Sequence, residues 1–188
     1  MIRKAQEKDI SSIVPLIMII LRDMELPLVQ QFGEKKVSEM MEDACRTEGY
    51  RYDYRRAMVM VDSDDNVQGV VFGYPHSEEA KIDDAWNMVM NKYGYIEEEP
   101  LFSEKETLPG EWYVDTLVVS KAARGHGAGA KLLDAAETLA LADGYHTMGL
   151  NVDEANPRAQ KLYERVGYHV VGDMDISGHR YHHMQKEF

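Results

Sequence analysis

Six residues in the second half of the chain, Arg124-Gly125-His126-Gly127-Ala128-Gly129, have the makings of an anion cradle. Glycines at alternate positions let a backbone turn tightly and approach a ligand with no Cβ in the way. The preceding residues, Trp112 to Val119, are aromatic and β-branched and read as a buried strand. The following ones set Leu132, Leu133, Ala136, Leu139 and Ala140 at helical spacing, up to a stop at Asp143-Gly144. A glycine loop between strand and helix aims successive amides at one point, at the positive end of the helix dipole. A pyrophosphate suits such a site, and Arg124 either adds a charge-assisted contact or fixes the loop.

Two other readings of the loop stand beside this one. It is a ligand-free turn, or it belongs to a nicotinamide-dependent oxidoreductase, because Gly125-x-Gly127-x-x-Ala130 formally matches the dinucleotide fingerprint. That fingerprint normally carries an acid about twenty positions on, at the end of the next strand. Asp143 and Asp153 straddle the position, and Asp143 lies before the strand. A Walker loop is excluded, since no Gly-Lys-Ser/Thr follows.

The elements around the loop must bring a second set of residues to it. His146 to Val152 reads as the next strand, and Asn156-Pro157 opens a helix with Ala159, Leu162, Tyr163 and Val166 on one face. Strand, helix, strand requires a parallel pair with a right-handed crossover. Upstream, Ile2 to Ala5 reads as a short strand, and Ile10, Ile13, Val14, Ile17, Leu21 and Met24 as one helical face. Pro15 fits that helix only if Ser11 or Ser12 caps it late. Val37, Met40, Met41, Ala44 and Cys45 mark another helix, and Ala57–Val61 with Val67–Tyr74 a hairpin. Residues 75–110 read as an insertion with a helix around Glu79 to Lys92, and His169–Ile176 with Arg180–Lys186 as a closing antiparallel pair.

The run Leu117-Val118-Val119, a short loop, Arg124-x-x-Gly127-x-Gly129 and a helix resembles the coenzyme A signature of the GNAT superfamily of N-acyltransferases, in its bacterial type. Asn156-Pro157-Arg158-Ala159, with Tyr163 and Gly167-Tyr168, resembles that superfamily's next block at a matching distance. The resemblance covers about Trp112 to Tyr168 and extends more weakly over Ile2 to Tyr74. It implies one α/β (α+β) domain over residues 1–188, a mixed, mostly antiparallel sheet of about seven strands with a central parallel pair, flanked by helices. The 75–110 insertion departs from the family pattern and is where the choice of acceptor would be set.

The implied activity is transfer of the acetyl group of acetyl-coenzyme A to a primary amine by direct attack in a ternary complex, with no acyl-enzyme. The implied cosubstrate contacts are the backbone of Leu117, Val118 and Val119, the loop Arg124, Gly125, His126, Gly127, Ala128, Gly129 and Ala130, and Asn156. The strand is expected to splay from its neighbour, with the Val118 amide polarising the thioester oxygen. Tyr163 matches the tyrosine that protonates the leaving thiolate in many members. Read without the family, Asn156 is a helix cap and Tyr163 a core aromatic. A coenzyme A-binding sensor or inactive relative without turnover is the alternative from a different class.

A proton must also leave the amine, which is mostly protonated at neutral pH. By alternation Glu111, Tyr113, Asp115 and Leu117 share one strand face, so Asp115 and then Glu111 are candidates to relay it, directly or through water. Each also reads as a hydrogen-bonded structural carboxylate, and a water chain alone is a further route.

Bulk properties agree with this picture. The chain has 188 residues, 21 basic against 33 acidic side chains and a net charge of −12. Such a field repels nucleic acid and anionic membrane and would suit a cationic amine, small molecule or peptide; read without a substrate, it merely keeps the protein in solution. The single cysteine, Cys45, excludes an intrachain disulfide and a thiolate-rich metal cluster, and a reducing cytoplasm is the expected compartment. No metal is expected, because His182 and His183 are adjacent on a strand and point to opposite faces. Trp86, Tyr93 and Tyr95 either line a substrate pocket or pack the insertion, and Glu97-Glu98-Glu99 reads as a solvated face. A homodimer is suggested by family habit alone.

Overall fold

The computed structural model describes residues 1–23, 27–95 and 104–188, so Met24 and the Glu97-Glu98-Glu99 run lie outside the described residues. Among the described residues seven strands form one sheet: β1 (Ile2–Lys4), β2 (Ala57–Val61), β3 (Val67–Pro75), β4 (Trp112–Val119), β5 (Thr147–Asp153), β6 (His169–Ile176) and β7 (His179–Glu187). Their order is β1-β2-β3-β4-β5-β7-β6, and only the central β4 and β5 run parallel. The helices are α1 (Ile10–Asp23), α2 (Pro27–Phe32), α3 (Glu34–Arg46), α4 (Asp84–Lys92), α5 (Ala128–Ala142) and α6 (Pro157–Arg165). The expected mixed sheet with one parallel pair is therefore present.

Two apolar layers sandwich the sheet. On one face Ile13, Ile17 and Leu21 of α1, Val37 and Met41 of α3 and Trp86 of α4 meet Val59, Val70 and Phe72. On the other, Leu132, Leu133 and Ala136 of α5 meet Val71, Val114, Met148 and Leu150. Each of these fully buried aliphatic side chains contributes about 1.5–3 kcal/mol relative to exposure. Both layers cover β3, which explains why it reads as a continuous apolar run rather than an alternating one.

Several local expectations change. A 3₁₀ turn at Glu7–Asp9, capped by Gln6, leads straight into α1, so Pro15 sits inside the helix rather than in a late first turn. Pro15 and Ser11 are both exposed, which lets water satisfy the carbonyl that loses its partner. The insertion helix begins at Asp84, since His76–Lys81 is a 3₁₀ segment instead. The closing hairpin turns on Ser177 and Gly178 alone, at φ 50 and 79, a two-residue turn of the kind that matches strand twist.

The feature that makes a site is the short contact between β4 and β5. They pair only at Trp112↔Met148 and Tyr113↔Gly149. Beyond that point β4 stays with β3 as far as Val119, and β5 stays with β7 as far as Asp153. The strands therefore diverge after Tyr113, opening a gap at the heart of the sheet. A bulge lies at the same place: Gly73 pairs with Val114 but Phe72 with Thr116, leaving Asp115 as the extra residue of β4. Bulges add twist and re-aim side chains.

Candidate active site

The gap widens into a cleft of about 450 Å³. Tyr113, Asp115, Thr116 and Leu117 line it from β4, Asn151 to Asp153 from β5, and Asn156, Ala159 and Tyr163 from the cap and one face of α6. Ile20 and Asp23 close it from α1, and Ile176 and Tyr181 from the last hairpin. The bulge breaks the alternation expected along β4. Leu117 packs toward α5, whereas Asp115 turns with Thr116 toward the opposite face, where Thr116 Oγ1 donates to the Asp115 carboxylate at 3.0 Å.

The glycine loop sits at one end of the gap. Ser120 caps a 3₁₀ turn at Lys121–Ala123, and Arg124 Nε donates to the Val119 carbonyl at 3.1 Å. Arg124 thus ties the loop to the end of β4. Gly125 and Gly127 have φ of 83 and 75, a region costly to other residues, and no atom lies within 4 Å of where a Cβ would project. Lys131 is the residue of α5 whose amide reaches back to the Gly127 carbonyl, at 3.1 Å. The amides of the first turn, from Ala128 to Ala130, precede that bond and face the open end of the helix, the arrangement that binds anions. His126 is exposed, Ala128 is buried and Gly129 packs against Leu162 of α6. The side chains of Val118 and Val119 face inward, leaving their contribution to the backbone.

Asn156 is the cap of α6, its Oδ1 accepting from Ala159 N at 3.2 Å, and it borders the cleft as well. Tyr163, one helical turn on from Ala159, is half-buried with its ring 6.0 Å from that of Tyr168. Burial pushes its phenol up to about 12. Its hydroxyl bonds to no described residue, so it is free to meet a ligand in the cleft.

The carboxylates divide differently from the sequence expectation. The side chain of Asp115 is 1% exposed and accepts from Arg51 Nη1 at 2.8 Å. Burial, with Glu106 and Asp83 nearby, pushes its carboxyl up to about 7 against the opposing pull of Arg51. Glu111 does not line the cleft: it is fully buried below the β4–β5 contact, over Gly149, where a side chain would collide with its carboxylate. It accepts from Leu108 N at 2.8 Å and Gln185 Nε2 at 2.7 Å, and lies 3.0 Å from His183 Nε2. His183 Nδ1 is 2.7 Å from Asn151 Oδ1, and Asn151 Nδ2 donates to Tyr113 Oη at 3.1 Å. Glu111 therefore anchors a buried hydrogen-bond chain whose far end, Asn151 and Tyr113, borders the cleft.

Arg51 and Glu106 are the residues that sequence reasoning missed. Arg51 is 3% exposed and binds Asp83 through Nε and Nη2 at 2.7 and 2.8 Å, and Glu106 and Asp115 through Nη1. Neither belongs to a motif, and both lie in irregular segments far apart in sequence.

The remaining candidates find structural places. Trp86 stacks on Tyr50, Tyr93 donates to Asp43, and Tyr95 packs on Phe32, so none reaches the cleft. His183 is buried, while His182 lies 2.7 Å from Asp173. Glu154, Asp173 and His182 bring oxygen and nitrogen atoms within 4.8 Å of one another, and Arg180 already bridges the two carboxylates. Among the described residues no helix is long and apolar enough to cross a membrane. The single parallel pair in an otherwise antiparallel sheet is not a doubly wound dinucleotide fold, so the fingerprint match at Gly125 is fortuitous.

Comparisons with known proteins agree with the geometry. Residues 29–168 match the model of the acetyltransferase (GNAT) family. A crystal structure of an acetyltransferase is 44% identical, with a TM-score of 0.90 over 100% of this chain and 98% of that one. That of an N-acetyltransferase from Staphylococcus aureus is 30% identical, with a TM-score of 0.85 over 98% and 99%. An acetyltransferase of Agrobacterium fabrum is 41% identical over 68 residues, 36% of this chain and 48% of the relative, so the match spans about half of that protein. Fold, loop, cleft and relatives converge: the chain belongs to the GNAT family of acetyltransferases.

Proposed function

We propose that the protein moves the acetyl group of acetyl-coenzyme A to a primary amine by direct attack within a ternary complex. The observation that carries this reading is the cleft between the splayed strands, whose lining includes Asp115 of β4 and Tyr163 of α6 and whose β4 wall leads into the glycine loop. The loop suits the pyrophosphate, with first-turn amides as donors and open space beside Gly125 and Gly127. Strand edges left unpaired after Tyr113 suit an amide-bearing arm laid along β4, with Asn156 at its far side.

Acetyl-coenzyme A supplies an activated acyl carbon, at which the C–N bond forms as the C–S bond breaks. The backbone of Leu117 to Val119, the Val118 amide in particular, would hold and polarise the acyl oxygen. Asp115 takes a proton from the bound ammonium, and Tyr163 supplies one to the departing sulfur. With its phenol near 12, Tyr163 stays protonated over the working range. Transfer to a thiolate, whose acid ordinarily titrates at about 8.5, is uphill, so its proton must be restored at once from the cleft. Cys45 supports direct attack rather than an acyl-enzyme, since it is buried and its thiol is pushed up to about 12 by burial.

Release of coenzyme A thiol with a panel of primary amines tests the reading. Amine-dependent release is expected, and equilibrium binding of acetyl-coenzyme A without any release would leave a cofactor-binding protein instead.

A further inference from the structure

We propose that Glu106 and Asp115 act together as the proton acceptor for the incoming ammonium group. The inference rests on the transferase reading and adds a second carboxylate to it. Both side chains converge on one nitrogen, Arg51 Nη1, at 3.1 Å for Glu106 Oε1 and 2.8 Å for Asp115 Oδ1. Their oxygens therefore stand within the roughly 4–6 Å over which like charges oppose each other's ionisation. Arg51 does not neutralise both, because Asp83 already holds its other edge in a two-point pair.

Each carboxylate has one further donor. Tyr113 Oη donates to Glu106 Oε2 at 3.1 Å, and Thr116 Oγ1 to Asp115 Oδ2 at 3.0 Å. Both residues line the cleft, from different segments: the stretch before β4 and the bulge within it. Glu79 fixes the first by accepting from the amides of Glu106 and Thr107 at 2.7 and 2.9 Å. The other described groups that face the pair are Tyr52, Tyr74, Asp83 and, across the cleft, Asp23, Asp153 and Tyr181. None of these is a cation.

Two close carboxylates against one shared nitrogen titrate as a unit. Fully ionised, the pair attracts an ammonium group. The N–H bond then breaks, its electron pair stays on nitrogen as the nucleophile, and the proton passes to a carboxylate oxygen. The second proton lost from nitrogen replaces the one that Tyr163 gives to sulfur, and the proton on the pair leaves through the cleft. One proton per turnover thus reaches solvent.

The test is the acid limb of the kcat/KM profile with the best amine of the panel. In Glu106→Gln the part of the upward push on Asp115 that comes from Glu106 is gone, while burial and Asp83 remain, so the limb is expected to move down by about one pH unit, with kcat lowered by no more than about tenfold. Tyr113→Phe removes a donor to the ionised pair and keeps the ring, so its limb is expected to move up. Opposite displacements cannot come from general loss of structure, and carboxyl ¹³C NMR titration follows the pair without any acceptor. A limb in folded Glu106→Gln that coincides with the wild type's overturns the pair, as does an NMR midpoint of Asp115 unmoved by the substitution. No thiol release from the wild type with any amine overturns the transferase reading itself.

Discussion

The chemistry of this site rests on how few residues share a small buried volume. Burying a guanidinium and three carboxylates costs several kcal/mol per ion unless each is paired, and Arg51 with Asp83, Glu106 and Asp115 meets that condition through four hydrogen bonds. The cost leaves Asp115 with a carboxyl pushed up to about 7 by burial, well suited to accept a proton near neutral pH. Tyr163 is the converse case, a hydroxyl with no described partner in a wall of the cleft. Tyr163→Phe keeps the ring and its contact with Tyr168 while removing that hydroxyl. Turnover is expected to fall about a hundredfold, with affinity for acetyl-coenzyme A changed less than about threefold. Steady-state rates and equilibrium binding measured on the same preparation check this, and unchanged turnover would end the acid role of Tyr163.

At the scale of elements, the site is the place where a sheet fails to stay paired. Glu111 and Gly149 seal the base of the β4–β5 contact, and the bulge at Asp115 starts the divergence above it. The loop from Arg124 to Gly127 then delivers α5 with its N-terminus facing the opening. Gly127→Asp tests that delivery. The position has a left-handed backbone that aspartate tolerates better than most residues, and no neighbour to strike, so folding should lose only about 1 kcal/mol. A carboxylate there would stand against the phosphates. Thermal stabilisation by acetyl-coenzyme A is expected to vanish while the unliganded midpoint moves by only a few degrees. Retained stabilisation would place the pyrophosphate elsewhere.

For the molecule as a whole, the net charge of −12 is accompanied by an acidic cleft. Asp23, Glu106, Asp115 and Asp153 line the cleft, and no lysine or arginine is among the described residues of its walls. The cationic acceptor proposed above would be drawn in by a field that salt screens over about 8–10 Å. With such an acceptor kcat/KM is expected to drop several-fold between about 0.05 and 0.5 M salt, and an amine that carries its own carboxylate should be used poorly. Rates for a matched pair of amines across a salt series decide this, and equal salt response for both would remove the steering argument.

Much of this was legible in the chain itself, for reasons of locality. The strand at Trp112–Val119, the loop and the helix after it are contiguous, so residue type and spacing alone specify them. The same holds for the cap at Asn156 and the face that carries Tyr163. Alternation, by contrast, misled at Leu117, because one extra residue in β4 reverses which side chains share a face and is invisible without the partner strand. It also offered Glu111 as a relay, although only the close approach of Gly149, His183 and Gln185 makes that carboxylate part of the foundation. Arg51 and Glu106 were beyond local reading altogether, since they are 55 residues apart and acquire meaning only when the sheet brings both to Asp115. Sequence determined the fold, the glycine loop between β4 and α5, and the helix face that carries Tyr163, all encoded within short stretches. Tertiary structure decided which carboxylates face the cleft, because burial and charge proximity are properties of distance in space and not of spacing along the chain.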